Sequence, residues 1–140
     1  MLTIGHRGAR GYIAENTLES IQKALDLNVD GIEIDVLRCA SGEIVVFHDK
    51  KLKRLTGHNG LIEETTFEEL KNILVAGRYR IPTLQQVLEK IDGKILLNVE
   101  LKGENTAIPT AAILKQYLID SQSDIKKLIV SSKNWKELTL

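Results

Sequence analysis

Short apolar runs alternate with amphipathic segments along most of the chain. The runs have the length and composition of buried strands, and they cover residues 2–4, 31–36, 44–47, 95–101 and 128–132. Between most of them, apolar residues recur at intervals of three or four, which is typical of a helix with one buried face. Alternating strands and helices with continuous apolar strands predict a parallel sheet covered by helices, the α/β fold class.

Helix starts are marked by capping pairs, in which a polar N-cap residue precedes Glu or Gln by three positions. The pairs are Asn16 with Glu19, Thr66 with Glu69, and Thr83 with Gln86. Further helices are predicted near residues 105–119 and from Asn134 onward. The pattern weakens at about 50–80, so we interpret this stretch as a surface excursion with a short helix at 67–74. Tyr117 and Trp135 are interpreted as packing residues.

Composition and charge limit the class of protein but do not indicate a function. A chain of 140 residues with 43% hydrophobic and 27% charged residues is typical of one globular domain. The net charge is zero, so no overall basic field exists to attract nucleic acid or anionic membrane. The single Cys39 cannot form an internal disulfide, and neither a signal segment nor a membrane-spanning apolar run is apparent. These features predict a cytoplasmic protein without a membrane span.

Four charged residues lie in or directly after two of the predicted strands. Side chains alternate between strand faces, so Glu33 and Asp35 point the same way, roughly 7 Å apart at their backbones, and Glu100 shares a face with Lys102. The acids form either a divalent-metal site or a set of solvated carboxylates. A salt bridge is the second interpretation of Glu100 and Lys102. Hard oxygen ligands without Cys or clustered His indicate Mg²⁺ or Ca²⁺ rather than zinc.

His48 follows the third apolar run. Residues 39–42 can form a tight reversal, and a hairpin centred there would place His48 roughly opposite Glu33. Two parallel strands joined by an unusually short return are the alternative. Either arrangement brings His48 to the rim of the sheet. His58 lies in a Gly-rich turn and is interpreted as a surface residue.

The first strand is followed by His6, Arg7 and Gly8. The guanidinium of Arg7 has donors that can bind a phosphate at two points, and glycine lets the backbone approach a ligand closely. An Arg7–Glu15 ion pair is the alternative, and both can hold. Two histidines near one phosphorus can act as general acid and general base. Three carboxylates, two imidazoles and two cations at one strand rim thus predict a metal-assisted phosphoester site.

These motifs, taken in order, resemble the glycerophosphodiester phosphodiesterase family. They are His6-Arg7-Gly8, Glu15-Asn16-Thr17, Glu33-Ile34-Asp35, His48-Asp49, Ile81-Pro82-Thr83-Leu84 and Glu100-Leu101-Lys102. The resemblance implies hydrolysis of glycerophosphodiesters to glycerol 3-phosphate and an alcohol. It also implies one divalent cation, Mg²⁺ or Ca²⁺. The implied roles are metal ligands for Glu33, Asp35 and Glu100, acid and base for His6 and His48, and phosphate contacts for Arg7 and Lys102.

The family resemblance also implies a TIM-type (β/α)₈ barrel, which needs roughly 200 to 250 residues. Residues 1–140 are therefore expected to form a single, incomplete barrel domain that supplies the N-terminal half to two thirds of the barrel. An open barrel exposes strand edges, so either a C-terminally truncated chain or a homodimer that completes the sheet is predicted. A related phosphodiesterase for lysophospholipids or sphingomyelin-type head groups and a non-catalytic metal-binding module are the alternative functions.

Overall fold

A computed structural model describes residues 1–139. Its elements, in chain order, are β1 (Ile4–His6), α1 (Leu18–Asp26), β2 (Gly31–Arg38), β3 (Ile44–Val46), α2 (Lys53–Thr56), α3 (Phe67–Leu70), β4 (Leu74–Val75), β5 (Tyr79–Arg80), α4 (Leu84–Ile91), β6 (Leu96–Leu101), α5 (Ala107–Ser121), β7 (Leu128–Ser132) and α6 (Trp135–Leu138). Short 3₁₀ turns cover Ile62–Glu64 and Ile125–Lys127. Within these residues, every helix is too short or too polar to span a bilayer.

The main sheet contains four parallel strands in the order β1-β2-β6-β7. Strand β3 joins it as an antiparallel partner of β2. Helix α1 connects β1 to β2, and α5 connects β6 to β7, so the strand-helix alternation predicted from the sequence is confirmed. The carboxyl ends of the four parallel strands meet at one edge of the sheet, and loops at this edge are where such folds carry their sites.

Strand β2 lies at the centre of the packing because neighbours hydrogen-bond to it on both sides. Seven of its eight residues are buried, and only Arg38 is exposed. Ile32, Ile34 and Val36 enter the main core together with apolar residues of α1 and α4. Each fully buried aliphatic side chain contributes about 1.5–3 kcal/mol to stability. The alternate residues of β2, including Glu33 and Asp35, therefore lie on the opposite face of a firmly held strand.

Two of the three predicted capping pairs are confirmed. Thr66 and Thr83 each form a capping box with the residue three positions on. The first pair is wrong by one position, because Thr17, not Asn16, accepts the hydrogen bond from the backbone N–H of Ser20, at 3.1 Å. Asn16 has a left-handed backbone with φ of 56°, a conformation Asn tolerates well, and its side chain bonds elsewhere.

The hairpin interpretation of residues 31–47 is confirmed. Val36 pairs with Val46 and Arg38 with Ile44 in antiparallel register, with Gly42 at φ of 100° in the turn. The following stretch builds a second apolar cluster over the hairpin, with Phe47, Leu52, Ile62, Leu70 and Ile81 among its buried members.

Three sequence predictions differ from the structure. Strand β1 begins at Ile4 rather than at residue 2, since Met1 and Leu2 are exposed. Helix α3 ends at Leu70 rather than at 74, because β4 pairs with β5. The packing role of Trp135 is wrong, since the residue is 69% exposed, whereas Tyr117 does pack against the core.

Candidate active site

The predicted site residues converge on one end of the parallel sheet. The strand register pairs His6 with Glu33 and Asp35 with Glu100. Arg7 directly follows β1, Lys102 directly follows β6, and His48 comes two residues after β3. Because the neighbouring strands are parallel and in this register, they bring side chains far apart in sequence to one place.

Glu33, Asp35 and Glu100 form a compact carboxylate cluster. One oxygen from each lies within 4.8 Å of the others. Asp35 is only 1% exposed and Glu33 9%, so the interpretation of these two as solvated acids is wrong. One buried oxygen of Glu33 and one of Glu100, Oε1 in each, has no hydrogen-bond partner among residues 1–139. Three clustered carboxylates, two of them buried, with one oxygen of Glu33 that lacks a partner, fit a hard divalent cation.

Burial and mutual repulsion act on the protonation of this cluster. Desolvation, followed by the charges of Asp35 and Glu100, raises the pKa of Glu33 from 4.5 to about 7, although the N–H of Arg7 donates to its carboxylate at 3.1 Å. Burial also raises the pKa of Asp35, against the opposing effects of Asn16, His48, Arg7 and Lys102. Burial therefore disfavours the ionised forms of Glu33 and Asp35, and a bound cation would offset this cost.

The raised pKa of Glu33 predicts that replacing this carboxylate increases the free energy of unfolding by an amount that depends on pH. Between pH 4.5 and 7 the folded state binds more protons than the unfolded state, so stability falls as pH rises. In chelator-treated protein at pH 8, Glu33→Gln is expected to raise the free energy of unfolding by about 2 kcal/mol, with no gain at pH 4. Urea unfolding at the two pH values measures the difference. The exposed Glu89→Gln is the control, and an equal gain in both variants would contradict the prediction.

Lys102 and Arg7 place two cations beside the carboxylates. Lys102 Nζ lies 3.1 Å from Glu100 Oε1, an ion pair without hydrogen-bond geometry, and 3.8 Å from Asp35 Oδ1. Arg7 donates from Nη1 to Glu15 at 2.6 Å, and its Nε lies 3.3 Å from Asp35. Both ion pairs raised as alternatives thus exist. Among residues 1–139 Arg7 Nη2 donates no hydrogen bond, which leaves it available to a ligand.

The two histidines have different surroundings. His6 is exposed, its Nε2 lies 3.7 Å from Glu33 Oε2, and partial desolvation followed by the charges of Arg10 and Arg7 lowers the pKa of its imidazole. His48 is half-buried, and its Nδ1 lies 2.6 Å from Asp49 Oδ1. His58 is exposed in its turn, as expected, with its ring against the carbonyl of Thr56.

Three further residues belong to the site by contact, and none of them was predicted from the sequence as a site residue. Asn16 donates from Nδ2 to Asp35 Oδ2 at 3.1 Å. Asp49 binds the ring of His48, and Arg54 binds Asp49 and Glu15. The position of Asp49 next to a candidate histidine was a usable signal. Arg54 carried no signal, because its contacts depend on how the 48–83 stretch folds.

Comparison with known proteins shows the family to which this chain belongs. A sequence model of the Glycerophosphoryl diester phosphodiesterase family matches residues 6–140. A glycerophosphodiester phosphodiesterase from Caldanaerobacter subterraneus is 33% identical over 141 residues, covering 95% of this chain and 58% of that protein. The chain belongs to the glycerophosphoryl diester phosphodiesterase family, a family of hydrolytic enzymes.

Solved structures agree with this assignment. A phosphodiesterase from Oleispira antarctica in complex with the product sn-glycerol-3-phosphate is 34% identical, with a TM-score of 0.86 over 99% of this chain and 60% of that one. A glycerophosphodiester phosphodiesterase from Thermotoga maritima is 34% identical, with a TM-score of 0.79 over 99% and 57%. The predicted TIM-type fold is confirmed as part of an α/β barrel. The chain spans 57–58% of the length of the first curated relatives it matches.

Proposed function

We propose that the protein hydrolyses glycerophosphodiesters to glycerol 3-phosphate and an alcohol in a reaction that depends on one divalent cation, Mg²⁺ or Ca²⁺. The observation that carries this proposal is the buried cluster of Glu33, Asp35 and Glu100 beside two histidines and two cations. The sn-glycerol-3-phosphate complex of the Oleispira relative supports the substrate class. Family membership supports the reaction.

In this proposal the three carboxylates hold the cation. Their oxygens are close enough together to share one ion, which would be a partner for Glu33 Oε1 and a second partner, beside the Lys102 ammonium, for Glu100 Oε1. When bound, the cation supplies charge neutralisation for the phosphoryl oxygens and orientation for the glycerol. Asn16 holds the buried carboxylate of Asp35 in position, because its Nδ2 donates to one oxygen and its Oδ1 accepts from the backbone N–H of the same aspartate.

Arg7 and Lys102 are proposed to bind the phosphate. Glu15 and Asp35 fix the guanidinium of Arg7 on one side and leave Nη2 for a ligand oxygen. Lys102 is half-buried between Glu100 and Asp35, which holds its ammonium at the edge of the carboxylate cluster. Positive groups fixed before substrate arrives stabilise charge that develops in the transition state, because they need no reorganisation.

His6 and His48 are proposed as the acid–base pair. One imidazole takes the proton of the attacking glycerol 2-hydroxyl and the other gives a proton to the leaving alcohol oxygen, so the bond from phosphorus to the alcohol breaks as a cyclic phosphate forms. Water then opens the cyclic phosphate to glycerol 3-phosphate. Which histidine is the base and which the acid is left unassigned. The lowered pKa of His6 keeps its ring neutral, and therefore able to accept a proton, over more of the neutral range. Asp49 orients His48 by accepting from Nδ1, which directs Nε2 away from the carboxylate.

Turnover of glycerophosphocholine tests the proposal. Incubation of the 140-residue chain with glycerophosphocholine and Mg²⁺ or Ca²⁺ is expected to release glycerol 3-phosphate, measured with a coupled dehydrogenase. Removal of the ion with EDTA is expected to lower the rate by about 1,000-fold, since the cation contributes several kcal/mol of charge stabilisation. His58→Ala, which alters only a surface ring, is the control and should keep the full rate.

The alternative functions give different results in the same assay. Choline release from lysophosphatidylcholine without turnover of glycerophosphocholine would favour the lysophospholipid phosphodiesterase. Ion-dependent stabilisation without hydrolysis of either substrate would favour a non-catalytic metal-binding module. Equal activity with and without EDTA would remove the cation from the reaction.

Three other sequence predictions are kept as proposals. We propose that residues 1–140 belong to a single barrel domain, with the stretch at about 50–80 as its excursion. A homodimer that completes the sheet and a longer chain that supplies further strands are kept as the two alternatives, because either would pair the edges of β1 and β7, which are each paired on one side only within residues 1–139. A cytoplasmic location is supported by the free, buried thiol of Cys39.

A further inference from the structure

A continuous chain of ion pairs runs from His48 to Arg7, and Arg54 is its central member. Arg54 donates from Nε and Nη2 to the two carboxylate oxygens of Asp49, at 2.7 and 2.9 Å. It also donates from Nη1 and Nη2 to the two oxygens of Glu15, at 2.9 and 3.0 Å. Asp49 contacts the ring of His48, and Glu15 contacts Arg7. One guanidinium therefore binds the carboxylate partners of two proposed active-site groups.

We infer that Arg54 is a positioning residue that holds both Asp49 and Glu15, and thereby fixes the ring of His48 and the guanidinium of Arg7 for the reaction. The inference rests on the proposed function, because it gives Arg54 a role in placing groups that act on the phosphodiester. It goes beyond that function in assigning a role to α2, the four-residue helix that carries Arg54.

The geometry distinguishes this contact from an ordinary surface salt bridge. Exposed single ion pairs contribute little to stability. Here both carboxylates are bound at two points, and the Glu15 side chain is only 9% exposed although Arg54 is about half exposed. Hydrogen bonds from Arg54 are the largest cause of the low pKa of Asp49, about 2. Burial alone would raise the pKa of Glu15, yet hydrogen bonds from Arg54 and Arg7 lower it.

The expected consequence at His48 concerns its tautomer. An ionised Asp49 only accepts hydrogen bonds, so Nδ1 of His48 must carry the proton that it donates at 2.6 Å. Nε2 is then the nitrogen that exchanges a proton with substrate. Without the two-point hold by Arg54, Asp49 is free to rotate, and the neutral ring loses its preference for the Nδ1–H form. The planar fork of arginine is required, since an ammonium cannot bind two carboxylates at two points each.

Arg54→Lys tests the inference because it keeps the charge and removes the fork. With glycerophosphocholine and Mg²⁺, kcat is expected to fall about 10- to 100-fold, as for other residues that orient active-site groups, while KM changes less. In ¹⁵N spectra of the neutral His48 ring, the Nδ1–H tautomer is expected to dominate in the original protein and to mix with the Nε2–H tautomer in the variant. Arg54→Gln, which also removes the charge, is expected to lower kcat further.

The matched control is Arg80→Lys, since Arg80 is exposed and donates to the carbonyl of Lys71, outside the site. It should leave kcat and the His48 tautomer ratio unchanged. Unchanged kcat and tautomer ratio in folded Arg54→Lys would overturn the inference, and so would equal changes in the control. If the original chain hydrolyses nothing, the proposed function fails separately, and the tautomer ratio still decides whether Arg54 positions His48. If Arg54→Lys does not fold, the same two measurements on Arg54→Gln decide.

Discussion

Asp35→Asn is expected to abolish stabilisation by Mg²⁺ or Ca²⁺ and to lower turnover of glycerophosphocholine by about 1,000-fold. Asp35 is the least exposed of the three clustered carboxylates, and its oxygens lie close to those of Glu33 and Glu100. Asn has nearly the same shape but no charge, so the site loses one of the three anions that attract the cation. A bound cation supplies several kcal/mol of transition-state stabilisation, which corresponds to this loss in rate.

Thermal unfolding over a series of ion concentrations measures the first effect. An ion present at 100 times its Kd stabilises the folded state by about 2.7 kcal/mol, and the variant is expected to lose this increment. Glycerol 3-phosphate release measures the second effect. Asp35 also pairs with Arg7 and Lys102, so Glu100→Gln is the second variant and is expected to act in the same direction. Within residues 1–139, Glu100 forms an ion pair with Lys102 alone.

The matched control for Asp35→Asn is Asp120→Asn on the exposed face of α5, where, among residues 1–139, the side chain accepts a hydrogen bond from Gln116 alone. It makes the same chemical change away from the cluster and should keep both ion stabilisation and turnover. Full ion stabilisation in both Asp35→Asn and Glu100→Gln would mean that the cation binds elsewhere. That result would contradict the proposed ligand set even if turnover fell.

The proximity of the carboxylates could be predicted from the sequence because it follows from strand geometry. Residues two apart share a strand face, which relates Glu33 to Asp35, and the carboxyl ends of parallel strands meet at one edge, which brings Glu100 to them. The hairpin that carries His48 was also predictable from the short polar turn between two apolar runs. Regular periodicity therefore specified most of the positions that form the site.

The connections between those positions could not be predicted, because they depend on irregular backbone. Asn16 has a left-handed backbone, and its side chain donates to Asp35 instead of capping helix α1. The N-cap of that helix is therefore Thr17. Arg54 meets Glu15, 39 positions away, only because the second apolar cluster folds the 48–83 stretch over the hairpin. Periodicity describes strands and helices, whereas these contacts depend on loops whose direction is set by tertiary packing.

His48→Ala separates the chemistry of the site from its ion binding. His48 is outside the carboxylate cluster, and its own partner is Asp49. Loss of the imidazole removes one of the two proposed acid–base groups, and general acid–base catalysis contributes about 10²- to 10⁴-fold to a rate. Turnover of glycerophosphocholine is expected to fall by that factor while stabilisation by Mg²⁺ or Ca²⁺ remains close to its original value.

The comparison of His48→Ala with Asp35→Asn distinguishes a residue that transfers protons from a residue that binds the cation. Both variants are expected to lose turnover, but only Asp35→Asn is expected to lose ion stabilisation, because the carboxylate binds the cation and the imidazole moves a proton. His58→Ala removes an exposed imidazole outside the site and should change neither quantity. Unchanged turnover in His48→Ala would exclude His48 from the reaction. Loss of ion stabilisation in His48→Ala would instead make the imidazole part of the ion site, because removing a group that only transfers protons leaves the carboxylate ligands in place.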